Sequence, residues 1–195
     1  NSKLIAVITT YISDYIFPHV INGIYEVMNS NGYNVLLKNT GNSIAAERNC
    51  LDDVLKAGVD GLIIEPSKSQ IFCHHEELYE RLDKENIPYV FIQGHFSQMS
   101  DKPHVLMDDE KGGYIAARHL IELGHKRIIG VFKADDSQGY DRHKGFVKGL
   151  NEAGILYDPD LIIWYHTEDK EIKPAVQINA LIKRNRDITA VVCYN

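Results

Sequence analysis

The side chains of this sequence best suited to chemistry fall singly after short apolar runs. They are Tyr11, Asp14, Tyr15 and Phe17 in "TTYISDYIF", Glu65 and Lys68 in "EPSKS", Gln93 and His95 after "PYVFI", then Asp108, Arg142, Trp164, His166 and Asn195. A guanidinium, carboxylates and amides beside aromatic rings suit a small neutral polyol such as a sugar. Planar polar groups bond adjacent hydroxyls in pairs while an aromatic face covers the C–H surface. The stretch "GYDRHKGFVKGL" poses the question most sharply, because Arg142 stands where a helix reads as starting, just ahead of the core positions Phe146 and Leu150. Taken alone, Arg142 reads equally well as a ligand-site residue or as a bland charge, either solvated or paired with Asp141.

Other chemistries fit less well. "CHHEELYERL" brings Cys73, His74, His75 and Glu76 together in sequence, but adjacent helix positions diverge by about 100° and cannot all meet one metal. Asp108 and Asp109 are neighbours at a strand end, where side chains alternate; one of them reads as the cap of a helix starting at Glu110. No GxGxxG follows a strand, and neither a phosphate-binding GxxxxGK[ST] nor a GxSxG is present. No catalytic residue, metal or cofactor is therefore assigned, and an enzyme is not expected.

The elements that must position these residues alternate along the whole chain. "LIAVITT" (4–10), "YNVLL" (33–37), "GLIIE" (61–65) and "PYVFI" (88–92) read as strands separated by helix-period stretches. Ile21, Ile24 and Met28 share one helical face before Gly32, and Leu51, Val54 and Leu55 do so before Gly58, each glycine placed for a left-handed cap. The strands are continuous apolar runs, as burial on both faces of a parallel sheet requires. After "HVLM" (104–107) the rhythm restarts with helix "GGYIAARHLIELG", strand "RIIGVF", helix "RHKGFVKGLNEAG", strand "LIIWY", a helix near 172–185 and strand "TAVVCY". This predicts an α/β protein of two doubly wound units, 1–103 and 104–195, joined near Asp101 to Lys111, the second incomplete after three strands. In such sheets ligands bind at strand carboxyl ends, where the polar and aromatic candidates lie.

Composition is consistent with that reading. The 195 residues are 44% hydrophobic and 25% charged, with a formal net charge of −6, which disfavours direct binding to a phosphate backbone. No apolar run is long enough to cross a bilayer and no leader pattern opens the sequence. Cys50, Cys73 and Cys193 are odd in number and widely spaced, so a disulfide framework is not expected and a reducing cytosol fits.

The order "IAVITTYISDYIFPHVINGI", "GLIIEPS", "IPYVFIQ", "VLMDDEKGGYIAARHLIELGHKRIIGV", "RHKGF" and "AVVCYN" resembles the effector-binding domain of lactose/galactose-repressor-type transcription factors. It is most similar to arabinose-responsive members, which join this sensor to an N-terminal DNA-binding domain of the gluconate-repressor type. The resemblance implies a periplasmic-binding-protein-like fold of two lobes with a sugar cleft between them. It makes Asp108 the crossover aspartate of that cleft, Arg142 the sugar-binding arginine and Asn195 the asparagine after the third strand of the second lobe. Tyr11, Tyr15 or Phe17 would pack on the ligand, with Trp164 as a second aromatic and Lys68 and Gln93 as further contacts. L-arabinose is the implied effector, operator DNA is met only through a domain outside this chain, and the location is cytoplasmic. A homodimer is expected through exposed apolar residues of helices at 45–57 and 75–86. Exported sugar-binding proteins of transport systems share the fold and stand as the alternative. Replacing Arg142 by Ala is expected to abolish the sugar response and leave the fold intact.

Overall fold

β-branched runs form the strands, and every strand pairs in parallel with its neighbours. The computed structural model describes residues 2–195, divided into one unit that runs to Leu106 and a second from Met107. The first contains β1 (Leu4–Thr9), α1 (Phe17–Ser30), β2 (Asn34–Asn39), α2 (Ile44–Ala57), β3 (Gly61–Ile64), α3 (Glu76–Lys84), β4 (Tyr89–Ile92) and β5 (His104–Val105). Its sheet has the order β2-β1-β3-β4-β5, which puts a topological switch point between β1 and β3. The strand centres are dry, with Ala6, Val7, Ile8 and Ile64 fully buried. Leu51, Val54, Leu78, Tyr79 and Leu82 bring α2 and α3 into the same core. Ser43 caps α2 by accepting from the Ala46 N–H at 3.3 Å, and Gly58 ends it at φ +60°, the left-handed cap predicted from the sequence.

The second unit contains α4 (Asp109–Glu122), β6 (Ile128–Lys133), α5 (Ser137–Glu152), β7 (Ile162–Tyr165), α6 (Lys173–Arg184) and β8 (Ala190–Cys193), with strand order β7-β6-β8. Helices α4 and α5 cover one face through Ala117, Phe146 and Leu150, which cluster with Phe132 of β6. On the other face, Ile178 and Leu181 of α6 pack against Ile129, Val131 and Ile163. The α4–α5 contact is unusually close because it is made by glycines. A Cβ on Gly113 would land on the carbonyl oxygen of Arg142, and one on Gly145 on that of Glu110. The "GG" and "RHKGF" segments are therefore the seam along which two helix backbones meet.

Several boundaries and faces differ from the sequence expectation. Strand β5 pairs Phe91 with His104 and Ile92 with Val105, so the first unit extends to Leu106 and not 103. Helix α5 begins at Ser137, capped by Asp136, whose carboxylate accepts from the Gly139 N–H at 2.7 Å. Arg142 consequently lies in the second turn, not at the helix mouth. Helices α2 and α3 turn their apolar residues inward, so the exposed apolar surface expected on them is not there. In this unit's helices the exposed large apolar side chains are Tyr25 and Val27 of α1. Cys50, Cys73 and Cys193 are free thiols, the first two buried, and no helix among the described residues is long and apolar enough to cross a membrane.

Candidate functional site

The carboxyl end of the second sheet gathers the most chemistry. A cavity of about 200 Å³ is lined there by Asp108, Asp109, Phe132, Arg142, Cys193 and Tyr194, among others. Asp108 caps α4, with one carboxylate oxygen accepting from the Lys111 N–H at 3.0 Å, while the residue stays exposed. Asp109 is the first residue of α4 and lies on the same face as Gly113, one turn on, so it points toward α5. Its Oδ1 accepts from Nε of Arg142 at 2.8 Å. The sequence reading correctly separates the two carboxylates and gives one of them a capping role. The helix begins at Asp109, however, and the cap is Asp108.

Arg142 is held on three sides. Besides Asp109, its Nη1 donates to the Tyr194 carbonyl, and the guanidinium carbon lies 4.6 Å from the centroid of the Tyr194 ring, a cation–π distance. The pairing with Asp141 considered from the sequence is replaced by one with a residue 33 positions away. Of the five N–H donors of a guanidinium, Asp109 and Tyr194 take one each. The other three have no protein partner among the described residues, although the side chain is only 18% exposed. Burial raises the carboxyl pKa of Asp109 above its ordinary value, opposed by the Arg142 charge.

Tyr194 is tied down in turn. Its hydroxyl donates to Asp136 Oδ2 at 2.9 Å and lies 3.1 Å from Gln138 Oε1. Burial, with the Asp136 charge beside it, pushes its phenol pKa far up, so it stays a neutral donor. Asp136 also pairs with the buried ammonium of Lys133 at 3.2 Å, and Asp135 accepts from the Thr167 N–H at 2.9 Å. One network therefore joins the ends of β6 and β8 and the starts of α4 and α5 around Arg142. Asn195, the residue after Tyr194, is exposed. Sequence reasoning missed Asp109 and Tyr194; the i, i+4 relation of Asp109 to Gly113 was the available signal for the first.

Trp164 lies elsewhere. Side chains alternate along β7, which puts Ile162 and Trp164 on the α4–α5 face. There the indole packs 4.7 Å from the His143 ring and 5.8 Å from Phe132. Its alternation, not its place near a strand end, decides its neighbours, and Trp164 is partly buried against the core of this unit.

In the first unit the candidates gather at the ends of β1, β3 and β4. Tyr15 is exposed, Tyr11 half-buried and Phe17 buried as the first residue of α1, with Tyr11 edge-on to the other two rings at 6.5 and 6.2 Å. Glu65 is buried and accepts from the Thr10 hydroxyl at 2.9 Å and the Thr10 N–H at 3.3 Å, which bolts together the two strand ends at the switch point. Tyr15, Lys68 and Gln93 have φ of +53°, +50° and +65°, a region that non-glycine residues rarely occupy. Such backbone costs about 1–3 kcal/mol and collects at binding sites.

Lys68 is held by its N–H to Asn42 Oδ1 at 2.7 Å, and Gln93 by its N–H to the Val105 carbonyl at 3.1 Å. Behind Lys68, the fully buried Glu47 accepts from the Ser67 N–H at 3.1 Å and lies 2.7 Å from Nε2 of His75. His75 of the "CHHEE" segment is thus committed to a carboxylate, and among the described residues no group of three His, Cys, Asp or Glu side chains could hold a metal.

Parallel α/β units of this strand order have the fold of the periplasmic-binding-protein-like class. The fold of the transcription regulator CcpA of Lactococcus lactis matches it with a TM-score of 0.80 at 23% identity, over 99% of this chain and 68% of that one. A PurR family transcriptional regulator from Vibrio parahaemolyticus matches with a TM-score of 0.78 at 22% identity, over 97% of this chain and 69% of that one. At the sequence level, the family of periplasmic binding proteins and sugar binding domains of the LacI family matches residues 2–195, and the chain belongs to that family. It is 44% identical over 195 residues to the arabinose metabolism transcriptional repressor of Halalkalibacterium halodurans, covering 99% of this chain and 52% of that protein. Its identity to the Geobacillus stearothermophilus repressor of the same name is 40%, over all of this chain and 54% of that protein. The chain spans about half the length of the curated relatives it matches.

Proposed function

We propose that this chain is the sugar-sensing part of a cytoplasmic transcriptional repressor of arabinose utilisation, with L-arabinose as effector. A bound sugar biases the protein between two states, and the change is read by a DNA-binding domain outside this chain. The carrying observation is Arg142, a guanidinium fixed by Asp109 and Tyr194 with three donors left over, lining a cavity beside Asp108. Prepositioned planar donors lose little freedom when they bond adjacent hydroxyls, so they favour a polyol over water. The cavity is below the ~300 Å³ at which ligand pockets usually begin, so further groups must complete the site. Asn195, the residue after Tyr194, is the candidate within this unit.

Relatives at 44% and 40% identity that are repressors favour this reading over an exported transport receptor. They also favour it over an enzyme. The intact protein is proposed to act as a homodimer, and the exposed large apolar side chains on the first unit's helices are Tyr25 and Val27 of α1. The test is calorimetry of the intact protein against L-arabinose, D-xylose, D-ribose and D-galactose, paired with operator-release assays. L-arabinose should bind tightest and alter operator binding. A protein that binds none of the four, or whose DNA binding ignores the one it binds, does not have this function.

A further inference from the structure

The cavity at Arg142 has the wrong charge for the ligands that arginine most often recognises. A free guanidinium forks a carboxylate or phosphate through two parallel N–H bonds. Here Nε is taken by Asp109, and of the charged groups that line the cavity two are carboxylates, Asp108 and Asp109, against one cation. The next groups outward add no net positive charge: Asp136 is paired with Lys133, and Asp141 and Asp136 both act on Asp109 as further negative charges. Cys193 and Tyr194 are neutral, since burial raises both their pKa values. What Arg142 offers is three N–H donors whose charge is offset by Asp109, which match hydroxyls, while the second carboxylate of the cavity, Asp108, disfavours anions.

We propose that Asp109 is the specificity-determining residue that restricts this site to uncharged sugars, by neutralising Arg142 and occupying the Nε–H through which it would grip a sugar acid or sugar phosphate. The inference rests on the reading that Arg142 receives the sugar. Asp109 acts through Arg142 and is a positioning residue, so its test must separate a change in selectivity from a general loss of binding.

The experiment is calorimetry of the intact protein and its Asp109→Asn and Asp109→Glu variants with three probes: L-arabinose, L-arabinonate and D-arabinose 5-phosphate. Asn keeps an oxygen that can accept from Nε and removes the charge; Glu keeps the charge. Wild type should prefer L-arabinose to either anion by about 100-fold or more, as like-charge juxtaposition dictates. Asp109→Asn should shrink that preference at least about tenfold, more at 20 mM than at 300 mM salt because screening weakens it. Asp109→Glu should keep the preference whatever its absolute affinity, and Asp109→Ser serves if Asp109→Asn does not fold. A ratio of anion to sugar affinity in the uncharged variants within threefold of wild type would overturn the role of Asp109. Wild type that binds none of the three probes fails the reading of the site itself.

Discussion

Replacing Arg142 with alanine should destabilise the protein as well as abolish sugar binding, and the loss should depend on pH. From sequence, the arginine head sits in water at a helix mouth and the fold should not notice its removal. In the structure it is the counter-charge of Asp109, whose side chain is 5% exposed against 18% for Arg142. Removing one partner of a buried pair costs about 3–5 kcal/mol, because the other charge is stranded. Arg142 is partly open to water, which lowers the expected loss to about 2–3 kcal/mol. For ~200 residues that is a drop in Tm of about 5–10 °C.

The pH dependence has a fixed sign. The folded-state pKa of Asp109 is already raised by burial, and it rises further without the guanidinium. A carboxyl raised in the folded state contributes stability below its unfolded pKa and loses it as pH rises through the folded value. The deficit of Arg142→Ala relative to wild type should therefore be smallest near pH 4.5 and largest above neutrality. Asp109→Asn combined with Arg142→Ala should recover most of the stability at pH 7.5 and none of the sugar binding. Thermal melts of the three proteins at both pH values, with calorimetry on the same samples, make the measurement. If Arg142→Ala melts within about 1 °C of wild type at each pH, and the double variant is no better, the pair is not coupled and the argument fails.

Two further substitutions probe the frame around the site. Gly145→Ala should cost about 1–3 kcal/mol in chemical denaturation of the intact protein, because its Cβ meets the Glu110 backbone. Helix propensity alone predicts a gain of up to about 1 kcal/mol, so a stabilised variant would refute the close α4–α5 approach. Trp164→Ala should cost about 3 kcal/mol through its packing on Phe132 and His143, with L-arabinose affinity within about threefold of wild type when measured well below the melting transition. Unchanged stability with a tenfold weaker affinity would return Trp164 to the sugar.

The alternation of elements and the parallel sheets were legible because they depend on local signals: β-branched runs, apolar spacing, and glycines at positions such as Gly58. The strand-end rule singled out Asp108 at the crossover and Arg142 after β6, and both line one cavity. What was not legible follows from a single blind spot, the assumption that a polar residue faces water. Glu47, His75, Lys133, Asp135 and Asp136 are all buried, and partners such as His75 for Glu47, Thr167 for Asp135 and Tyr194 for Asp136 lie far along the chain, beyond the reach of any periodicity. Arg142 suffered most from it. The N-cap signal of Asp136 was present in "DDSQG", but Gly139 six residues after "VFK" reads as loop until it is seen packed on the Lys133 carbonyl. Once the helix start moves to Ser137, Arg142 faces inward across Gly113, and its partner must come from α4. Asp109 is the residue of that face with a charge to give. The selectivity proposed for the site rests on the carboxylate that the sequence reading set aside, because two adjacent aspartates were weighed as neighbours and a helix cap and not as partners of an arginine 33 residues on.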